Sequence, residues 1–241
     1  MIQTIKANEH HKNEMDWLST YYHFSFADYF DHQKMNYGPL RVFNDDTIQP
    51  AAGFDLHPHR DMEIVTYVID GSLEHQDSNG NHGVIGPGEI QVMTAGSGII
   101  HSEYNHSKDK PLHLLQMWVI PDTKGLEPSW QQKKYSKEQR LDKLLQVVSP
   151  LGSNVNGQLG MHQNASFYVS SLTPRAEIFH ELKPERKAYV FVMDGQIQIN
   201  GTSMQTRDAA KVEDESRLSI RAEKPTELIL VDLPEKYAVK N

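Results

Sequence analysis

VTYVIDGSLEHQDSNG, residues 65–80, comes back later in the chain as YVFVMDGQIQING, residues 189–201. Each copy reads as a strand of β-branched and aromatic residues, an Asp-Gly turn, a second strand and an Asn-Gly turn. Asp70-Gly71 and Asp194-Gly195 are expected to close hairpins, because Gly supplies the positive φ such turns need. Further runs of the same kind, LHLLQMWV at 112–119 and LILV at 228–231, are cut by Gly, Pro, Asn and Asp. Short strands at this spacing point to sandwiches or barrels. Helical character is confined to 128–146, where Trp130, Tyr135, Leu141, Leu144 and Leu145 intersperse with Lys, Glu and Arg, and Pro150 closes the stretch. A turn-rich connector, LGSNVNG at 151–157, follows. The expected organisation is an N-terminal β-domain over 1–127, a helical connector over 128–157 and a C-terminal β-domain over 158–241.

Laying Asp70-Gly71 on Asp194-Gly195 sets His57, His59 and Glu63 against Glu181, Lys183 and Lys187. A lysine ammonium repels a cation, so metal chemistry is expected in the first copy and a metal-free scaffold in the second. His57 and His59 stand two apart, and strand residues i and i+2 share a face. Downstream, EIQVMT at 89–94 leads through a glycine-rich bend to His101 and Glu103, again two apart. Together these form a set of three imidazoles and one carboxylate on two strands. Such donors suit Fe(II), and also Mn, Co, Ni, Cu or Zn. A divalent ion held this way keeps net positive charge, which favours an anionic substrate oxygen at an open position. Other residues are read more plainly. His75, His82, His106 and His113 are assigned to surface or packing, and His10-His11 to a solvated segment. Met93, Met117 and Trp118 are assigned to core or pocket wall.

Bulk properties narrow the field. The 241 residues carry 24 Lys and Arg against 32 Asp and Glu, a net charge of −8, which disfavours a nucleic-acid surface. With no cysteine there is no disulfide framework and no thiolate metal site. No apolar run approaches the ~20 residues a membrane helix needs. The opening MIQTIKANEHHKNEMDW has no apolar core of a signal peptide, so a cytoplasmic, monomeric protein is the expectation.

The segments FDLHPHRDMEIVTYVIDG (54–71) and GPGEIQVMTAGSGIIHSE (86–103) resemble the signature segments of the pirin family, within the cupin superfamily. LHLLQMWV, VVSP at 147–150 and MHQNA at 161–165 also look pirin-like, so the resemblance covers nearly the whole chain. The general cupin segments match more loosely, at His57, His59 and Gly71 and at Gly88, Gly96, His101 and Asn105, with Thr94 in a proline slot. The usual carboxylate slot of the first segment falls on apolar Ile64, and Glu63 is one place out of register. The resemblance instead implies Glu103 as the carboxylate ligand, beside His57, His59 and His101. It implies an all-β bicupin of two jelly-roll barrels with a short helical connector. Among pirins the chain looks most like bacterial quercetin 2,3-dioxygenases. That implies a metal-dependent enzyme cleaving a flavonol with O2 to a depside and carbon monoxide, with Glu103 as ligand and base in turn. The rival reading from the same family is a redox-responsive regulator that binds a protein partner. No nucleic-acid or membrane partner is expected.

Overall fold

The computed structural model describes residues 1–153 and 157–240; residues 154–156 of the expected turn-rich connector lie outside them. The chain is nearly all β and divides into two compact units. One comprises His11–Lys134, Leu159–Gln163 and Ala238–Asn241; the other comprises Met1–His10, Tyr135–Gln158 and Asn164–Tyr237.

The first unit is a two-sheet jelly roll. One sheet orders the strands Ser129–Lys134, Glu89–Thr94, Glu63–Asp70, Leu112–Val119, Leu40–Ile48, Leu18–Tyr22 and His11–Glu14. The other orders Gly53–His59, Ile99–Asn105, Leu73–Asp77 and His82–Ile85. Neighbouring strands in both sheets pair antiparallel. A core of Leu18, Ile48, Val68, Leu73, Ile85, Leu112 and Leu114 takes side chains from both sheets. Ile99–Asn105 alternates buried with less buried residues, as expected of a strand with one face inward. Glu63–Val68 is buried at every position, so its run shows no alternation.

The second unit repeats the plan. Its larger sheet runs Ile2–Ile5, Ala209–Val212, Arg186–Asp194, Thr226–Pro234, Ser166–Leu172, Leu145–Pro150. Its smaller sheet runs Glu177–Glu181, Arg217–Ala222, Gln196–Ile199, Thr202–Gln205. The core between them includes Val190, Ile197, Leu218, Ile220 and Leu230.

Three expectations need correction. The Asp-Gly turns are corners, not hairpins: the strands on either side of Asp70-Gly71, and of Asp194-Gly195, belong to different sheets. Gly71 and Gly195 have φ of +84° and +100°. A Cβ on Gly71 would lie 2.7 Å from the Pro111 carbonyl oxygen, so the corner needs glycine for space as well as for φ. The true hairpins are the Asn-Gly turns, since Leu73–Asp77 pairs with His82–Ile85 and Gln196–Ile199 with Thr202–Gln205. Secondly, 128–146 is not a helix. Ser129–Lys134 is a strand paired with Glu89–Thr94, which places Trp130 opposite Met93. Helix is limited to the single turn Lys137–Arg140, whose Ser136 amide donates to Gln139 Oε1. Strand pairing outweighs local preference here. Thirdly, His10 is buried rather than solvated. The segment before it is no tail, because Ile2–Ile5 adds a strand beside Ala209–Val212.

Candidate metal centre

Strands Gly53–His59 and Ile99–Asn105 run antiparallel, with His57 opposite His101 and His59 opposite Ile99. The register slips between His101 and Glu103, so Glu103 stands opposite Phe54. Gly53 lets the two backbones close at that point, since a Cβ there would lie 2.3 Å from the Glu103 carbonyl oxygen. His57, His59 and His101 converge, each offering a ring nitrogen within 4.8 Å of the others. Their ring centroids are 4.4–4.8 Å apart.

All three rings suit a cation. His57 Nδ1 lies 2.6 Å from the Asp55 carbonyl oxygen, which can only accept, so Nδ1 carries a proton and Nε2 is the nitrogen left to face a cation. Burial, then the His101 and His57 rings, pushes His59 down to about 4. Burial, then His57 and His75, pushes His101 down to about 3. Both rings are neutral at pH 7, the form a metal needs. The buried Nε2 of His101 has no hydrogen-bond partner in the protein. A buried nitrogen without a partner, beside two other imidazoles, fits a first-row divalent metal as a fourth participant.

Glu103 stands next to this group rather than within it. Its carboxylate forms a second cluster with His75 and His101, again within 4.8 Å. Each oxygen is held by an amide: Gln91 Nε2 donates to Oε1 at 2.6 Å and Gln116 Nε2 to Oε2 at 2.7 Å. Thr66 Oγ1 accepts from Gln91 and donates to Gln116, and Trp130 Nε1 donates to Gln91 Oε1. This closed network fixes the carboxylate while leaving it lone pairs to share.

A cavity opens over the site, bounded by His57, His59 and Glu103 on one side. Its walls are Leu18, Tyr22, Phe26, Phe54 and Trp118, with Trp118 meeting His59 edge-on at 4.8 Å. Asn44, Asp46 and Gln116 are its polar positions. Burial, followed by the nearby Asp45 and Glu103 charges, raises Asp46 to about 7, against the Thr20 hydrogen bond that lowers it. Oδ1 of both Asn44 and Asp46 is buried without a partner. Sequence reading missed this pair. The polar run Asn44-Asp45-Asp46 directly after the apolar Val42-Phe43 was the signal that could have exposed it.

Glu63 lies elsewhere. It is fully buried, its Oε2 accepts from Thr94 Oγ1 and the His162 amide, and its Oε1 has no partner. Neither of the two histidine clusters that could hold a metal includes it. His82 and His106 are exposed and both bond Glu74, while His113 bonds Asp45. His75 is fully buried against His101, a contact that spacing along the chain could not show. In the second unit Arg186 and His180 bond the Asp232 carboxylate instead. No helix among the described residues is long and apolar enough to cross a membrane.

Similarity to known proteins spans nearly the whole chain. Residues 4–119 match the Pirin family model and residues 146–233 the model described as quercetinase C-terminal cupin domain. A relative from Escherichia coli K12 named quercetin 2,3-dioxygenase is 42% identical over 97% of this chain and 99% of its own length. A pirin-like protein of Caulobacter vibrioides is 40% identical, over 90% of this chain and 92% of its own. Among solved structures, a bacterial pirin, YhhW from Escherichia coli in complex with nickel(II), superposes with TM-score 0.91 at 40% identity. It covers 97% of this chain and 99% of that one.

Proposed function

The chain belongs to the pirin family, and from that premise we propose that it is a metal-dependent dioxygenase that opens the heterocyclic ring of a flavonol. The overall change adds both atoms of O2 to the flavonol and releases a depside and carbon monoxide, so the atoms balance without a further reductant. One observation carries this reading. Three imidazoles converge, and two of them, His57 and His59, border with the hydrogen-bonded Glu103 carboxylate a cavity walled by aromatic side chains. Relatives named quercetin 2,3-dioxygenase support the substrate class.

His57, His59 and His101 are the residues assigned to hold the ion, with Glu103 as the carboxylate ligand. A bound divalent transition metal, Fe(II) first among Mn, Co, Ni, Cu and Zn, would supply Lewis acidity and an electron route to O2. Glu103 takes the proton of the substrate hydroxyl next to the ring carbonyl, and the Gln91 and Gln116 amides keep it oriented for that transfer. Phe26, Trp118 and Phe54 exclude water and stack against the ring system. Asn44 and Asp46 offer polar partners to phenolic hydroxyls away from the reacting carbon.

The test uses protein freed of metal and reloaded separately with Fe, Mn, Co, Ni and Cu, followed under air by loss of the flavonol absorbance band and by oxygen uptake. Turnover in at least one form is expected. If no form consumes flavonol or oxygen, the dioxygenase reading fails and the regulatory reading replaces it.

A further inference from the structure

His75 lies on the strand Leu73–Asp77, which pairs with Ile99–Asn105 on the side away from His57 and His59. Its ring lies parallel to the Trp130 indole, with centroids 5.2 Å apart and planes 13° apart, so its plane is set by packing. Both ring nitrogens then meet a partner. Nδ1 is 3.5 Å from His101 Nδ1, and Nε2 is 3.3 Å from Asp77 Oδ2. The Asp77 carboxylate is itself anchored, with Oδ1 accepting from the amides of Asn79 and Asn81 and Oδ2 from Asn81 Nδ2.

These contacts have one consistent set of proton positions. Both Asp77 oxygens accept N–H bonds, so toward Oδ2 His75 is the donor and carries a proton on Nε2. A proton on the buried His101 Nε2 would have no acceptor, so the proton between the two rings belongs to His101 Nδ1 and His75 Nδ1 accepts it. That leaves His101 Nε2 bare, and this is the buried nitrogen without a partner beside the His57 and His59 rings. The reverse assignment puts two lone pairs face to face between the rings. It also leaves a buried Nε2–H of His101 with nothing to donate to.

We propose that Asp77 and His75 are positioning residues that set His101 in its Nδ1–H tautomer before any metal arrives, so that Nε2 faces the site as a ready ligand. Metal-ligating histidines commonly donate their second N–H to a carboxylate or carbonyl. Here the acceptor is another imidazole, and the carboxylate lies one residue further back. The consequence for metal affinity rests on His101 being a ligand; the tautomer itself does not.

The experiment is performed first on the metal-free full chain. Nitrogen-15-labelled histidine and long-range proton–nitrogen correlation spectra report which nitrogen of each ring is protonated at mildly alkaline pH. The expected result is Nδ1–H for His101 and Nε2–H for His75. In His75→Phe, which keeps the stacking on Trp130, His101 should populate the Nε2–H form, and Asp77→Asn should give a mixture. Zinc titration against a competing chelator should then show affinity ~10–100-fold weaker in both variants with unchanged stoichiometry. An Nε2–H His101 in the wild-type spectrum overturns the proposal even if neither variant folds. So does a His101 tautomer unmoved by His75→Phe, or a zinc-induced shift showing His75 itself as a ligand. The expected wild-type tautomers in a protein that binds no zinc would support the proposal and overturn the metal reading alone.

Discussion

Replacing Glu63 by Gln tests whether this carboxyl is a buried neutral acid or a working part of the site. Burial raises its pKa from 4.5 to about 7, against the hydrogen bonds from the His162 amide and Thr94 that lower it. Below the unfolded value, folded and unfolded chains both hold the proton and the group contributes no pH dependence. Between 4.5 and about 7 the unfolded chain releases the proton while the folded chain keeps it, so stability falls as pH rises through that window. Above it the loss is complete. At about 1.4 kcal/mol per pKa unit the full effect is on the order of 3 kcal/mol, of which about 2–3 kcal/mol develops between pH 5 and pH 8. The glutamine side chain of the variant cannot titrate. Its carbonyl can keep the bonds from Thr94 and His162, while its amide hydrogens lack partners, a penalty of about 1–3 kcal/mol that does not change with pH. The informative quantity is therefore the change in the variant's relative stability between the two pH values, in which other titrating groups such as Asp46 cancel. Thermal melts of both proteins should show Glu63→Gln gaining roughly 5–10 °C relative to wild type from pH 5 to pH 8. Metal content and flavonol turnover should stay near wild type. A relative stability that does not change with pH would refute the buried-acid argument. Lost metal or turnover would show that Glu63 belongs to the site after all.

Three further outcomes are expected. His59→Ala and Glu103→Ala should each substantially lower the metal retained from up to one equivalent per chain, read by elemental analysis. Glu103→Gln keeps an oxygen but loses charge and basicity, so turnover of its residual metal-loaded fraction should fall ~10²–10⁴-fold against wild type, measured by stopped-flow absorbance. The second unit should remain metal-free, because Glu181, Lys183 and Lys187 stand where the first copy has His57, His59 and Glu63; anomalous scattering from crystals of metal-loaded protein should show one ion, in the first unit.

Much was legible in the linear chain because it depends on short-range geometry. His57 and His59 share a strand face, as do His101 and Glu103, since side chains repeat every two residues wherever a strand forms. The duplicated strand–turn–strand pattern announced two similar units, and both have the same two-sheet plan. Register and the family resemblance together pointed from Glu63 to Glu103 as the carboxylate of the set; Glu63 itself lies outside both histidine clusters.

What the tertiary structure decided are the relations between strands far apart in the chain. Nothing local to Asp70-Gly71 says that the next strand leaves for the other sheet, because a glycine with positive φ serves a hairpin and a corner equally. Residues 129–134 have no strong preference of their own; pairing with Glu89–Thr94 makes them a strand and carries Trp130 onto His75. Asn44 and Asp46 reach the cavity, and His75 reaches His101, only because separate strands are brought side by side. Burial does the rest. The environment that holds His59 and His101 neutral and raises Glu63 and Asp46 is assembled from side chains across the unit, and desolvation is a property of the packed interior.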